Sequence, residues 1–227
     1  MYVFGKNVAV ELISNKRKIN KIYLYKNFTE KEILSGVTCP IKYVEKYELD
    51  KLVDGNHQGI VLEIPDYKYH ELEELLVDDS LVVMLDHIED PHNLGAIIRT
   101  CEAAGVTGVI IPKDRGVEVN GTVMKTSVGT LDKVPVVQVT NLVNTMKYLK
   151  DKGFWITGTD MEGTDYRKID YKGKTCIIIG NEGSGMSRLV KENCDFIATI
   201  PMKGEVNSLN ASVAAGVVIF QAINNRD

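Results

Sequence analysis

Residues 176–186 read CIIIGNEGSGM, a short apolar run that ends in a glycine-rich turn. The run over residues 176–179 is rich in β-branched side chains and has the length of a buried strand. A helical pattern follows over residues 187–193. A strand, a glycine-rich turn and a helix in this order predict one unit of an α/β fold, with the turn at the end of the strand.

The same alternation runs through the whole second part of the chain. Apolar strand patterns lie at residues 81–85, 108–111, 134–139, 154–157 and 196–200. Helical patterns lie at residues 94–104, 118–127, 142–151 and 208–224. Near-continuous apolar strands that alternate with helices are typical of a parallel sheet covered on both faces. We therefore predict an α/β domain with a mostly parallel sheet, whose ligand site lies beyond the carboxyl ends of the strands.

A polar, acidic stretch at residues 66–80 separates this pattern from a different one at the front of the chain. The front has strand patterns at residues 21–25, 41–44 and 60–64, and helical patterns at residues 7–14 and 48–53. The sequence therefore predicts a small α/β domain over residues 1–66, a linker over 67–79 and the larger domain over 80–227.

The composition excludes several classes of protein. The 227 residues are 44% hydrophobic and 26% charged, which is ordinary for a globular chain and not for a disordered, collagen-like or coiled-coil one. No apolar run reaches the length of about 18 residues that a membrane-spanning helix needs, and the first residues lack the layout of a signal peptide. The four cysteines form no C-x-x-C pair, so neither a zinc site nor a disulfide framework is predicted. We expect a cytosolic protein.

The charge is unevenly distributed along the chain. The net charge is −4, but residues 1–65 carry 10 Lys plus Arg against 8 Asp plus Glu, so the acidity lies in the second part. Basic residues near the second strand and the next helix could form a local patch for RNA, or could only solvate the surface. They are Lys113, Arg115, Lys125 and Lys133.

Three loops of the larger domain hold the candidate functional residues. In the first, Asn93 is predicted to cap a helix, and Arg99 lies in an apolar part of that helix, where it would reach a phosphate or carboxylate or simply be solvated. The second, residues 180–185, has glycines in the order G-x-x-G-x-G, and Glu182 between them favours a cationic or neutral ligand. In the third, Ser208 and Asn210 lie at a predicted helix start, where they could serve as caps.

Together these segments resemble the three signature motifs of the SpoU (TrmH) family of RNA ribose 2′-O-methyltransferases. The matching segments are residues 93–100, residues 180–185 and residues 208–212. Residues 4–7 (FGKN) and 57–59 (HQG) are similar to landmarks of the L30e-like substrate-binding domain in the branch that methylates guanosine in 23S rRNA.

The resemblance implies a SPOUT-type catalytic domain with a deep C-terminal trefoil knot, preceded by an L30e-like domain. It implies a homodimer with the site at the interface, an RNA substrate, S-adenosylmethionine as cofactor and no metal. By motif position, the cofactor-binding residues would be Gly180, Ile200 and Leu209, with Thr157, Gly158 and Met186 nearby. Arg99 would hold the RNA phosphate, and the residues that orient it and the ribose would be Asn93, Glu182, Ser208 and Asn210.

Other functions compete with the favoured one, which is 2′-O-methylation of a guanosine in 23S rRNA. A tRNA ribose methyltransferase is the alternative within the same class. A non-catalytic RNA-binding protein that keeps the knotted fold is disfavoured, because a decayed site would be expected to lose at least one motif residue. A nicotinamide-dependent oxidoreductase is disfavoured by the order of the glycines.

Overall fold

The computed structural model describes residues 1–127 and 129–226, which divide into two units. The first unit contains Met1–Lys68 and Val119–Lys125. The second contains Tyr69–Glu118 and the chain from Thr126 onward. The domain bounds predicted from the sequence place residues 119–125 in the larger domain, whereas their contacts group them with the first unit. In the structure a Cβ added to Gly121 would lie 2.0 Å from the backbone oxygen of Tyr2, so only glycine fits this contact.

The first unit is a four-stranded mixed sheet. Its strands are β1 (Tyr2–Phe4), β2 (Lys21–Tyr25), β3 (Ile41–Val44) and β4 (Ile60–Glu63), in the order β1-β4-β2-β3. Its helices are α1 (Lys6–Ser14) and α2 (Lys46–Asp50). The strand β1 was not predicted, because three residues are too few to show a period of two.

The second unit is a six-stranded sheet in which every strand pairing is parallel, as predicted. Its strands are β5 (Leu81–Asp86), β6 (Gly108–Pro112), β7 (Val136–Val139), β8 (Trp155–Asp165), β9 (Thr175–Gly180) and β10 (Phe196–Thr199). Their order is β10-β8-β9-β5-β6-β7, so β5 and β9 lie at the centre. The trefoil knot that the resemblance implies stays a prediction.

Five further helices lie among the described residues after β5. They are α3 (Pro91–Ala103), α4 (Gly121–Ser127), α5 (Leu142–Asp151), α6 (Arg188–Glu192) and α7 (Ala211–Arg226). Helix α3 buries Leu94, Ile97, Ile98 and Cys101, whose spacing places them on one face. Within the described residues no helix is long and apolar enough to cross a membrane.

Residues 69–79 of the predicted linker are part of the second unit. His70 forms a parallel bridge with Val137, and Leu75 is completely buried in the core of the sheet. A Cβ at Gly108 would lie 2.4 Å from Leu75 Cδ2, so the leucine fills the space that this glycine leaves. The acidic composition of the stretch concealed the apolar side chains that anchor it.

Candidate functional site

A bulge in β8, the loops after β9 and β10 and the start of α7 enclose a cavity of about 220 Å³, which we call the first cavity. Its apolar wall is formed by Met161, Ile179, Ala198, Ile200, Met202 and Leu209. Its polar wall is formed by Asp160, Glu182, Asn207 and Ser208. The cavity therefore lies beyond the carboxyl ends of parallel strands, where the sequence predicted the ligand site.

The glycine-rich turn forms one wall of the first cavity and is held by a single asparagine. The backbones of Asn181 and Gly185 exchange two hydrogen bonds of 3.0 Å. The Asn181 Oδ1 accepts from the backbone N–H groups of Gly183 (2.9 Å) and Ser184 (3.1 Å), and its Nδ2 donates to the carbonyl of His87 (2.7 Å). A Cβ at Gly180 would lie 2.5 Å from the backbone nitrogen of Met186. Contacts within the turn therefore hold this wall in place, and a side chain at position 180 would clash with the backbone of Met186.

A long bulge in β8 opens the first cavity on another side. Gly158 pairs with Ile197, but the next residue of β10, Ala198, pairs with Thr164. The residues between, 159–163, leave the ladder, and Thr159 and Met161 line the cavity. The predicted strand ended at residue 157, because the polar bulge breaks the apolar pattern. The glycines at 158 and 163 are the signal that could have indicated it.

Asn93, Glu182 and Asn210 are joined by hydrogen bonds. Asn93 Nδ2 donates to Glu182 Oε1 at 2.8 Å, and Asn93 Oδ1 accepts from Asn210 Nδ2 at 3.0 Å. Asn93 was predicted to cap α3, which is wrong. The cap is Asp90, whose side chain accepts from the backbone of His92, while Asn93 lies inside the helix and is 6% exposed. Asn93 therefore connects the glycine-rich turn to the start of α7.

Asn210 has a second role as a cap. Its Oδ1 accepts from the backbone nitrogen of Ser212 at 2.9 Å and from that of Val213 at 3.3 Å. The helix α7 begins at Ala211, later than predicted, so Ser208 lies before it in an exposed loop. The predicted capping function is confirmed for Asn210 and not for Ser208.

Arg99 lies apart from this network within one chain. It follows Asn93 by six residues on the same helix, a rotation of about 120° around the helix axis. Its side chain is exposed and makes no hydrogen bond or ion pair with the described residues. It does not line the first cavity. One chain thus brings Asn93, Glu182 and Asn210 together, and leaves Arg99 free to meet another molecule.

The predicted cofactor residues fall into two groups. Gly180, Ile200 and Leu209 line the first cavity. Thr157, Gly158 and Met186 are buried and do not line it. A Cβ at Gly158 would lie 2.6 Å from the sulfur of Met186, so these residues pack tightly behind the cavity. Among the described residues Thr157 Oγ1 is buried without a hydrogen-bond partner.

The chemistry of the first cavity suits a ligand with a positive charge and an apolar part. Two carboxylates, Asp160 and Glu182, line it, and no lysine or arginine does. Asp160 is paired with Lys191 at 3.0 Å, which leaves the carboxylate of Glu182 without a cation among the described residues. Alkyl groups or an aromatic ring would contact the apolar wall, and hydroxyl groups would contact the polar one. Among the described residues no cluster could hold a metal ion.

Comparisons with known proteins agree with this geometry. The model of the SpoU rRNA Methylase family matches residues 80–220, and a model described as RNA 2′-O ribose methyltransferase substrate binding matches residues 2–70. The TrmH family tRNA/rRNA methyltransferase YacO of Bacillus subtilis is 40% identical over all of this chain and 96% of its own length. A TrmH family tRNA/rRNA methyltransferase of Staphylococcus saprophyticus is 43% identical over 99% of this chain and 96% of its own.

Solved structures show the same relationship. The SpoU methyltransferase AviRb from Streptomyces viridochromogenes, in complex with AdoMet, has a TM-score of 0.81 and 25% identity over 99% of this chain and 89% of its own. The TrmH/SpoU tRNA modifying enzyme of A. aeolicus has a TM-score of 0.60 and 32% identity over 68% of this chain and 80% of its own. The chain therefore belongs to the SpoU rRNA methylase family, the family that its three motifs resemble.

Proposed function

We propose that this protein transfers a methyl group from S-adenosylmethionine to the ribose 2′-oxygen of a guanosine in 23S rRNA. The observation that carries this proposal is the link from Asn93 to both Glu182 and Asn210 at the edge of the first cavity. Each residue comes from a different motif. A chain that had lost the reaction would be expected to lose at least one of these motif residues, whereas here Asn93 is hydrogen-bonded to both of the others.

The first cavity is proposed to hold S-adenosylmethionine. When bound, this cofactor supplies an activated methyl group on a positively charged sulfur. The carboxylate of Glu182 suits that charge, and Ile200 and Leu209 would hold the apolar parts of the molecule. Gly180 lets the turn of residues 181–185 fold close to the strand end, so that backbone groups reach the ligand.

Methyl transfer to a hydroxyl is an in-line displacement, so it needs alignment and help with the charge on oxygen. Asn93 donates to Glu182 and accepts from Asn210, which fixes both side chains before the substrate arrives. Arg99 would contact the phosphate next to the acceptor ribose and stabilise the developing alkoxide. A guanidinium stays protonated in proteins, so Arg99 would act through its charge and not as a base.

Arg99 would complete the site of a second copy in a homodimer. Its side chain is exposed and does not line the first cavity of its own chain. Helix α7, which packs against α3, carries the exposed apolar side chains Val213 (51%) and Phe220 (46%). These residues are seven positions apart and lie on one face of the helix. We propose that this face is covered by a second copy, whose cavity receives Arg99.

The proposed rRNA substrate is supported by the first unit. The substrate-binding model matches residues 2–70, so this unit is proposed to bind RNA. The A. aeolicus tRNA modifying enzyme matches 68% of the chain and leaves about a third of it unmatched. Because this tRNA enzyme does not match the whole chain, we expect the additional part to serve a different RNA substrate. The curated relatives carry both substrates in their names, so tRNA is the alternative that the experiment must separate.

The test combines a binding measurement with mapping of the product. Calorimetric titration with S-adenosylhomocysteine, the product form of the cofactor, is expected to show micromolar affinity. RNA from cells that lack the gene is expected to miss one 2′-O-methylguanosine in 23S rRNA, restored by incubation with the protein and S-adenosylmethionine. A methyl group restored in tRNA would overturn the rRNA assignment. Absence of both binding and methylation would favour an RNA-binding protein without catalytic activity.

A further inference from the structure

A second cavity of about 730 Å³ lies on the other side of the glycine-rich turn. It is enclosed by the loops after β5, β6 and β7 and by the turn itself. Asn181, Ser184 and Gly185 line both cavities, so the turn is a shared wall. A molecule that places its reactive atom in the first cavity would extend into the second with its neighbouring groups.

A buried carboxylate fixes an imidazole at the second cavity. Asp86, at the end of the central strand β5, is 1% exposed and lies 2.5 Å from His87 Nδ1. Its other oxygen accepts from the backbone nitrogen of Ser187 at 2.6 Å. His87 has a φ of 59°, a left-handed backbone conformation that is uncommon for residues other than glycine. Two hydrogen bonds on Asp86 and one from Asn181 to the carbonyl of His87 hold this conformation.

The remaining charged groups in the second cavity are unpaired or balanced. Glu89, Asp114 and Arg115 line it, and among the described residues none of them has an ion-pair or hydrogen-bond partner. Arg188, which also lines it, is paired with Glu192 at 3.0 Å. The titratable and charged groups that face His87 from all these loops are Asp86, Glu89, Asp114, Arg115 and Arg188. Because Glu192 balances Arg188, three carboxylates and one arginine remain, so the cavity disfavours a phosphate and suits a neutral group with both donors and acceptors.

We propose that the second cavity binds an unpaired guanine of the RNA substrate, next to the ribose that is methylated. The inference rests on the proposed function, because the RNA brings the base to the turn. Guanine offers N1–H and N2–H groups to a carboxylate, and its O6 and N7 atoms accept from an arginine. Glu89 or Asp114 would accept the first pair, and Arg115 would donate to the second. Adenine has an acceptor at N1, so the same carboxylates disfavour it.

His87 is the residue that holds the plane of the base in this subsite. A nucleobase removed from its stack is commonly held against a flat side chain. The imidazole of His87 is 26% exposed, and its Nδ1 is occupied by Asp86. The ring therefore has one defined orientation in which its face and Nε2 can contact a base. The strained backbone and the buried partner keep the ring in place before the RNA arrives.

The first test measures base binding without the reaction. Guanosine 5′-monophosphate, titrated to about 10 mM into the isotope-labelled protein, is expected to shift the amide signals of residues 86–89 and 114–115, with millimolar affinity. Adenosine 5′-monophosphate carries the same phosphate and is expected to shift them at least about threefold less. Equal shifts with both nucleotides would mean phosphate binding only. No shift with guanosine 5′-monophosphate would overturn the proposal.

Variants connect the subsite to the reaction. His87→Asn removes the ring but tolerates the left-handed backbone, and is expected to raise the KM for RNA by about tenfold, with kcat and the affinity for S-adenosylhomocysteine nearly unchanged. The double variant Glu89→Gln, Asp114→Asn is expected to lose the preference for guanosine 5′-monophosphate. Asp151→Asn, an exposed carboxylate at the far end of α5, is the matched control.

The outcomes separate this inference from the proposed function. Suppose that the His87→Asn variant methylates RNA with an unchanged KM, and that guanosine 5′-monophosphate shifts no amide signal of the wild-type protein. The proposed function then stands and the guanine subsite is ruled out. If guanosine 5′-monophosphate binds at residues 86–89 but the protein methylates no RNA, the guanine subsite stands and the proposed function is ruled out.

Discussion

The first cavity has two loops of different character as its walls. In the glycine-rich turn, residues 181–185, one asparagine side chain holds the backbone on three sides. In residues 201–209 no backbone–backbone hydrogen bond is formed among the described residues, and most side chains are exposed. Asn93 connects the first loop to the end of the second through Glu182 and Asn210. One wall is therefore held by contacts within the protein, and we expect the other to gain order from contacts with the ligand.

The largest expected effect concerns Arg99, which belongs to neither wall. Arg99→Ala should lower the rate of methylation by at least about 10³-fold, because an alkoxide would develop without a nearby cation. The affinity for S-adenosylhomocysteine should stay within about threefold, since Arg99 does not line the first cavity. Calorimetry and single-turnover methylation measure the two quantities. A large loss of cofactor affinity would place Arg99 in the wall of the cavity.

Mixing variants shows whether Arg99 acts in its own chain. A dimer of one Arg99→Ala chain and one Asn210→Ala chain keeps one intact site only if Arg99 reaches the partner's cavity. Random mixing of two inactive proteins should then restore about a quarter of the wild-type activity. Inactive mixtures would mean that Arg99 and Asn210 serve the same chain, and a monomer in light scattering would contradict the shared site.

The next largest effect is expected from a substitution in the glycine-rich turn, residues 181–185. Asn181→Ala removes the side-chain hydrogen bonds within the turn and the one to His87, each worth about 1 kcal/mol. The affinity for S-adenosylhomocysteine should fall by about 100-fold, because the turn must then be ordered by the ligand itself. Asn144→Ala, on the exposed face of α5, is the matched control and should bind normally. An unchanged affinity for Asn181→Ala would show that the turn is not held by this residue.

A smaller effect is expected when the hydrogen bonds that connect the glycine-rich turn to the start of α7 are removed. Asn93→Leu keeps the size of the buried side chain but removes its bonds to Glu182 and Asn210. We expect kcat for methylation to fall by about 30-fold and cofactor affinity by less than about threefold, since alignment and not binding is lost. Equal losses in both would mean that Asn93 holds the cavity itself together. Thermal unfolding of the same variant shows whether the substitution disturbs the core.

The smallest expected effect concerns Ser208, in the exposed loop of residues 201–209. Ser208 is exposed and its side chain makes no hydrogen bond with the described residues, so Ser208→Ala removes no contact that exists before binding. The unfolding temperature should not change, and kcat should fall by about two- to fivefold through a single lost contact to substrate. A loss of stability would show that residues 201–209 are already packed in the free protein.

Local patterns predicted much of the fold. The strands β2 and β3 and the helix α5 begin and end where the periodicity placed them. The errors have particular physical causes. The strand β8 continues to Asp165 because a bulge of polar residues rejoins the ladder, which hydrophobic spacing cannot show. The stretch 69–79 packs through Leu75, with Leu72 and Leu76 beside it, and the acidic residues between them hide this apolar contact in the sequence.

The candidate site was located more accurately than its contacts were. The predicted loops after β9 and β10 do line one cavity, because parallel strands deliver their carboxyl ends to the same edge. The contacts of the motif residues depend on three-dimensional neighbours. Met186 lies behind the cavity and not in its wall, since the turn folds over Gly180 and directs that side chain into the core.

The sequence by itself determined the secondary elements, the parallel sheet and the three motifs, because these depend on residue types at short spacing. Only the tertiary structure decided that Asn93 is a connector and not a cap, and that Arg99 does not line the first cavity of its own chain. Asn93 is 89 residues from Glu182 and 117 from Asn210 along the chain. Their contact is set by the strand order, which places β9 beside β5, and no local pattern carries that order.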